Sequence, residues 1–403
     1  MNRHKQFFMF LAVFLIVGLF CVQMAAAATD GWVEYPTNPV FAPGKAYYPS
    51  VLYDANKFSG HGDSYYYKMW YYTGSPSIRL AYSNDGINWV NEGGDLGVLT
   101  NAAHPVVLYD AGGFGGSGYY YKIWYWDGTQ EGPGAIRYAE STDGIHWTND
   151  QAIGQDSSAP LVTGLDSDYG TWFYHSYGPG AVLYNPSGYT SPNTADPMGN
   201  KYVMYYDAAS ESATTVDKET IENTALAISA DGITWTRYGS EPVFEASGGS
   251  LTGSWDSRYA YVWTVLKIDG QYQMWYSGGQ GGSNAGMGYA ESTDGITWTK
   301  QVDPVMSVSD GIAWRSDRTY TPLVLYDENQ FGGHGDTAYY KMWYTGVDVT
   351  DSYYAVGYAC IPTSSATPEY PLGDFAGLLG CLVALVVFKS LKSPRSLQSR
   401  LKT

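Results

Sequence analysis

The chain has 403 residues, of which 44% are apolar, 16% aromatic and only 15% charged; 39 Tyr, 14 Trp and 48 Gly favour strands and tight turns over a helix bundle. A disordered acidic chain, rich in charge and poor in aromatics, is excluded by the same figures. The formal charge is −17, and residues 29–373, with 15 basic and 38 acidic side chains, carry −23, a field that repels phosphate backbones and argues against nucleic acid as a partner.

Residues 1–28 read as a secretory signal peptide: Arg3, His4 and Lys5 start it, residues 7–22 are its apolar stretch, and residues 25–28 are small enough for cleavage. Phe20, bulky before Cys21, speaks against lipoprotein processing, so the expectation is simple export. The mature chain then repeats itself. A first series of segments is YPSVLYD (48–54), HPVVLYD (104–110), GAVLYN (180–185), WTVLKID (263–269) and TPLVLYD (321–327). A second follows each: YYYKMWYYTG (65–74), YYYKIWYWDG (119–128), KYVMYYDA (201–208), QYQMWYSG (271–278) and AYYKMWYTG (338–346). A third apolar segment comes next, and in four units it runs into a turn and a Trp: SNDGINW (83–89), STDGIHW (141–147), SADGITW (229–235) and STDGITW (292–298).

Four short strands per unit with Gly-rich hairpins are the sequence form of a propeller blade. Asp85, Asp143, Asp231 and Asp294 are read as turn residues, because Asp-Gly supplies the side-chain hydrogen bond and positive φ of a tight turn. The Trp that follows is expected to pack between neighbouring blades. The fifth unit stops at Cys360 without its Trp strand, and residues 31–41 (GWVEYPTNPVF) match WTRYGSEPVF at 235–244. The expected fold is therefore all-β: a single five-bladed β-propeller of four-stranded antiparallel blades over residues 29–362, its ring closed by the N-terminal strand. Cys360 is the one cysteine of that domain, so it holds no internal disulfide.

A linker with a Pro-Glu-Tyr motif (363–374) leads to an apolar segment and a basic end (375–403). The apolar run 375–388 is short for a membrane span, and Lys389, Lys392, Arg395, Arg400 and Lys402 follow it as a stop-transfer end. This tripartite tail resembles the sorting signals processed by exosortase and archaeosortase enzymes; the other reading is an ordinary single-span anchor. Either way the expectation is a domain at the cell surface or envelope, held through the C-terminus, with the membrane met only there and a sorting enzyme as partner of the tail.

Five blades bearing MWY-T/S-G and S-x-DG-I-x-W resemble the five-bladed propeller glycoside hydrolases, the fold of families 43, 32, 68 and 130, across residues 31–361; the DGI-x-W element is also similar to the sialidase Asp-box, one residue shorter. The resemblance implies a carbohydrate partner. It also implies a carboxylate triad on the first three innermost strands, yet the corresponding positions here are Tyr48-Pro49, His104-Pro105 and residues 175–179 (HSYGP), which hold no acid. Catalytic carboxyls are then sought among Asp127, Asp207, Asp256 and Asp317, at loops that enter first strands or leave second strands.

The same loops carry the candidate binding residues Tyr47, Tyr48, His104, His175, Tyr177, Arg258, Tyr261, Arg318 and Tyr320, with Glu131, Glu211 and the inserted stretch 207–224 beside them. Aromatic faces stack on sugar C–H surfaces, and Arg and Asp hydrogen-bond hydroxyls; the alternative for the Asp-Ser-Arg and Asp-Arg pairs is a salt bridge between blades. His104 is read as a hydrogen-bonded channel residue, and no metal site or cofactor is assigned. A calcium ion at Asp54, Asn56 and Asp63 finds no twelve-residue ligand pattern, which leaves a solvated hairpin there. Two functions remain: a carbohydrate-binding propeller that hydrolyses or transfers glycosyl groups, and a non-catalytic glycan-binding, adhesion or envelope module.

Overall fold

The computed structural model describes residues 31–62, 64–74, 77–92, 96–99, 102–127, 135–153, 178–211, 220–247, 254–280, 283–350 and 353–363. The signal peptide, Asp63, Glu131, His175, Tyr177 and the whole tail from residue 364 lie outside them. No helix among the described residues is long and apolar enough to cross a membrane.

The fold is all-β and built of antiparallel sheets. One four-stranded sheet runs β2 (Tyr47–Tyr53), β3 (Tyr67–Tyr72), β4 (Ile78–Ser83), β5 (Trp89–Asn91); a second runs β6 (Ala102–Tyr109), β7 (Tyr121–Asp127), β8 (Ala135–Ser141), β9 (Trp147–Ala152). A nine-stranded sheet contains two antiparallel stacks. The first is β10 (Pro179–Tyr184), β11 (Tyr202–Glu211), β12 (Thr220–Ser229) and β13 (Trp235–Arg237). The second is β14 (Tyr259–Ile268), β15 (Gln271–Gln280) and β16 (Ser283–Ser292), with β17 (Thr299–Lys300) and β18 (Met306–Ser307) on its outer edge. A single parallel bridge, Glu222 to Tyr259, joins the two. In the last sheet, β19 (Arg318–Tyr326), β20 (Ala338–Val347) and β21 (Tyr354–Pro362) take β1 (Val33–Glu34) as their outer neighbour, with Val33 opposite Cys360.

The sequence repeats become repeated contacts. In all four DGI turns one Asp carboxylate oxygen accepts two backbone N–H bonds, for Asp85 from Ile87 at 2.8 Å and Asn88 at 2.7 Å. The adjoining glycine adopts the positive φ that the turn needs, +76° at Gly86. These turns are also where one sheet grips the next. Trp70 donates its indole N–H to Gly144 O (3.1 Å), Trp124 to Gly232 O (2.8 Å) and Trp343 to Gly86 O (2.7 Å), while the Tyr205 hydroxyl reaches Gly295 O (2.7 Å).

The same four aromatics meet the Trp after the turn edge to face, at 6.1–6.3 Å between ring centroids. Each such pair contributes about 0.5–1.5 kcal/mol beyond its buried area. Trp32, beside β1, makes the corresponding pair with Trp275 at 6.4 Å and 86°. Trp275 has the ring contact without the hydrogen bond: its buried indole nitrogen has no partner among the described residues.

The innermost strands pack in succession, β2 on β6, β6 on β10, β10 on β14, β14 on β19 and β19 on β2. Residues of all five, including Leu52, Leu108, Val182, Leu266 and Leu325, line an apolar void of about 130 Å³. Each of these strands carries a register shift near its start, between Tyr47 and Ser50, Ala103 and Val106, Pro179 and Ala181, Val262 and Thr264, and Tyr320 and Leu323. Such bulges re-aim side chains at sheet ends. Tyr48 (φ 57°), His104 (φ 49°) and Thr321 (φ 59°) occupy the left-handed region there, a strained conformation for bulky residues that clusters at functional sites.

Candidate functional site

The start of each first strand lies beside the end of its second strand, as Tyr47 lies opposite Tyr72 and Ala102 opposite Asp127. At this face a cavity of about 370 Å³ opens. Tyr48, His104, Trp126, Tyr261 and Trp263 form an aromatic arc around it. The His104 ring lies 5.8 Å from Trp126 and 4.0 Å from Tyr48; Tyr48 stacks at 12° and 5.5 Å on Trp263, which meets Tyr261 at 6.0 Å.

Asp207 and Glu222 face the arc from β11 and β12, with residues 178–180 and Val262 completing the wall. Gly180 is needed where it stands: a Cβ there would come within 2.1 Å of Val262 O. Thr224 holds the seam behind the acids. Its hydroxyl donates to Ala260 O (3.0 Å) and accepts from the Val262 N–H (3.1 Å), and the Glu222 N–H donates to Arg258 O at 3.1 Å.

Electrostatics divide the site sharply. Burial first, and the Asp207 carboxylate next, push the Glu222 carboxyl well above the usual carboxylate range, against the opposing pull of Arg258. Its surroundings thus favour the neutral form of the carboxyl. Burial alone pushes His104 down to about 3, so its imidazole is neutral. The Tyr48 phenol is raised by burial and then by Tyr72 and Glu222, and stays protonated.

Of the residues expected from sequence, Tyr48, His104, Asp207 and Tyr261 come together around this cavity. Tyr47 and Tyr320 lie next to it: Tyr47 sits 4.8 Å from Tyr48 and 4.7 Å from Tyr354, and Tyr320 meets Tyr48 edge to face at 5.8 Å. The remaining described candidates are not among the residues lining the cavity, although Arg258 and Arg318 stand close enough to act on Glu222 and Tyr48. Asp127 lies 3.5 Å from an Arg137 nitrogen, Asp317 pairs with its neighbour Arg318 at 3.2 Å, and the Arg258 guanidinium lies over the Tyr259 ring at 5.1 Å.

Asp256, only 2% exposed, pairs with Lys300 at 2.7 Å and not with Arg258; it also accepts from Ser247, Ser254 and Tyr276. Burial pushes its carboxyl up, but Lys300 and these hydroxyls outweigh that and leave it below its ordinary value. Asp54 accepts from the Phe58 N–H, and among the described residues no three His, Cys, Asp or Glu side chains gather as a metal site.

Sequence reasoning missed Glu222, Trp126 and Trp263. The stretch 207–224, expected as an inserted loop, is largely strand: β11 and β12 stay paired from Tyr202–Ser229 out to Glu211–Thr220. Glu222 thus belongs to a hairpin that rises beside the cavity. The signal available was the length of that insertion together with its acid near the far end.

No family model matches the chain. An uncharacterised protein of Mycobacterium tuberculosis, found in two strains, is 28% identical over 205 residues, which cover 47% of this chain and 51% of the relative; the chain thus spans about half the length of the curated relatives it matches. Among solved structures, a glycoside hydrolase superposes with a TM-score of 0.54 at 15% identity, over 89% of this chain and 95% of that one. A complex of BT0996 and RGII gives 0.54 at 17% identity, over 83% and 89%. A thermostable family-43 glycoside hydrolase gives 0.50 at 16%, over 80% and 90%. At these identities the likeness is one of fold: the chain has a β-propeller, glycoside hydrolase-like architecture.

Proposed function

We propose that this chain is an exported protein, held at the cell surface by its C-terminal segment, whose five-bladed propeller binds carbohydrate in the 370 Å³ cavity and cleaves a glycosidic bond there. Five blades and a closed ring are supported by the succession of innermost strands that returns from β19 to β2, by the pairing of β1 with β21, and by the Trp32–Trp275 contact that repeats the other four. Export and anchoring rest on the leader and the tail alone.

The observation that carries the function is the pair Glu222 and Asp207 in one aromatic-walled cavity, with the Glu222 carboxyl raised by burial and by Asp207. A carboxyl whose pKa is raised can give a proton to a leaving oxygen, while a neighbouring carboxylate takes one from water. In this reading Glu222 protonates the glycosidic oxygen as its bond to the anomeric carbon breaks. Water adds to that carbon, and its proton passes to Asp207. Sugar faces rest against Tyr48 and Trp263, whose parallel rings give an apolar floor.

The test is reducing-end release from a panel of oligosaccharides. Glu222→Gln should lower turnover by at least about a hundredfold while binding persists. Equal turnover in that variant would remove Glu222 as the acid.

A second reading, a non-catalytic glycan-binding module, is favoured by one specific fact: both carboxyls stand on adjacent strands of one sheet, and the opposite wall presents aromatic rings. Binding without turnover across the panel would select it.

A further inference from the structure

The cavity selects charge as well as shape. Its aromatic arc, whose ring faces are electron-rich, shares the cavity with a wall that holds two acids, and among the described residues no Lys or Arg lines it. A neutral hydroxyl needs one acceptor. Two crowded carboxyls opposite several aromatic rings are instead the surroundings that stabilise a cation, which gains from the carboxylates and from the ring quadrupoles together. The domain's charge of −23 also raises the local concentration of cations at its surface. Two guanidinium groups lie near, and both are committed beside the cavity: Arg258 over Tyr259, and Arg318 against Asp317.

We propose that the ligand of this cavity is a glycan that carries an ammonium group, with the ammonium seated at Asp207 and Glu222 and the sugar ring against Tyr48 and Trp263. The inference rests on the carbohydrate reading in its glycan-binding form, since an ammonium on both acids leaves neither for proton transfer, and narrows it to amine-bearing sugars. It also gives the crowding of the two acids a use. A cation between them offsets the repulsion from the Asp207 carboxylate that adds to burial in raising Glu222. The groups that act on Glu222 are Asp207 from β11, Arg258 just before β14, Tyr261 from β14 and Tyr48 from β2. Of these Arg258 alone opposes the cation.

The experiment is calorimetric titration of the full-length protein with a glucosamine oligomer, its fully N-acetylated counterpart, and choline. The glucosamine oligomer should bind about tenfold tighter than the N-acetylated one. That preference should shrink with added salt, and Asp207→Asn should abolish it. The salt series on the unaltered protein keeps the test alive if that variant fails to fold.

Equal or tighter binding of the N-acetylated oligomer overturns the ammonium inference and leaves the carbohydrate reading standing. Choline binding without either oligomer overturns the sugar half, and assigns the site to a quaternary ammonium head group. Silence from all three overturns both.

Discussion

In the stack of β14–β18 a buried carboxylate, Asp256, receives the ammonium of Lys300 at 2.7 Å; in the sheet of β19–β21 and β1 a buried guanidinium, Arg315, receives the carboxylate of Glu34 at 2.9 Å. The positions correspond. Trp255-Asp256-Ser257 precedes β14 as Trp314-Arg315-Ser316 precedes β19, and Trp298-Thr299-Lys300 matches Trp32-Val33-Glu34. A tyrosine of the second strand, Tyr276 or Tyr344, donates to the carboxylate in each case. The fold thus fixes where an ion pair sits and leaves its sign free. What differs is the reach: Lys300 is 44 residues from Asp256, whereas Glu34 is 281 from Arg315, so only the second pair fastens the N-terminal strand to the other end of the domain.

The sharpest way to break this comparison is to remove one partner from each pair. Glu34→Ala takes the bidentate acceptor from the Arg315 guanidinium, 1% exposed, leaving it Asp310 at 3.0 Å, and also frees the N-terminal strand, so it should cost about 3 kcal/mol in urea unfolding. Lys300→Ala should cost less, about 2 kcal/mol, because Asp256 keeps hydrogen bonds from Ser247, Ser254 and Tyr276. Equal losses would mean that the N-terminal strand gains no special hold from its pair. If the sign is free, Glu34→Lys combined with Arg315→Glu should recover about 2 kcal/mol relative to the sum of the single changes. Additive losses would show instead that hydrogen-bond geometry, and not charge, sets the pair.

The two regions also show what sequence could and could not reveal. The DGI turns were legible because the bonds that shape them lie within three residues, and Trp32 was legible because its neighbours repeat a spacing seen elsewhere in the chain. Asp256 looked like a site residue because Arg258 stands two positions away, but strand geometry sends it to Lys300. Glu222 had no motif at all. Its carboxyl is raised by burial and by Asp207 on the paired strand, and the bridge to Tyr259 that positions it joins segments with no sequence signature. The polar run around it, SESATTVDKE, carried the composition of a loop while its flanks continued a hairpin.

The site should also mark the pH dependence of stability, in two opposite directions. Glu222 has a folded pKa above its unfolded value, so the native state holds a proton that the unfolded chain has lost; the stability present below about 4.3 falls as pH rises through the folded value. His104, pushed down to about 3, works on the other side: the unfolded chain binds a proton that the native state refuses, so stability falls as pH drops from about 6.5 toward 3. Each slope is at most about 1.4 kcal/mol per pH unit. Thermal melts across pH should therefore show Glu222→Gln gaining on the unaltered protein toward alkaline pH. A constant offset between the two would place Glu222 in an ordinary solvated environment.

The smallest effect returns to the same two sheets. Trp343 of β20 and Trp275 of β15 occupy corresponding positions, and each meets a Trp of the next unit edge to face, Trp89 at 6.3 Å and Trp32 at 6.4 Å. They differ by one hydrogen bond: Trp343 donates to Gly86 O at 2.7 Å, while the Trp275 nitrogen has no partner among the described residues. Replacing either ring with Phe removes similar apolar area, so the shared packing cost cancels in the difference. Only Trp343→Phe also removes a hydrogen bond, leaving Gly86 O with the Trp89 indole N–H at 3.1 Å as its remaining donor. It should cost about 1 kcal/mol more than Trp275→Phe, read as the difference between two urea midpoints at equal slope. Losses of equal size would mean that the indole–carbonyl bond adds nothing to the ring contact, and that the Asp-Gly turns hold neighbouring sheets by shape alone.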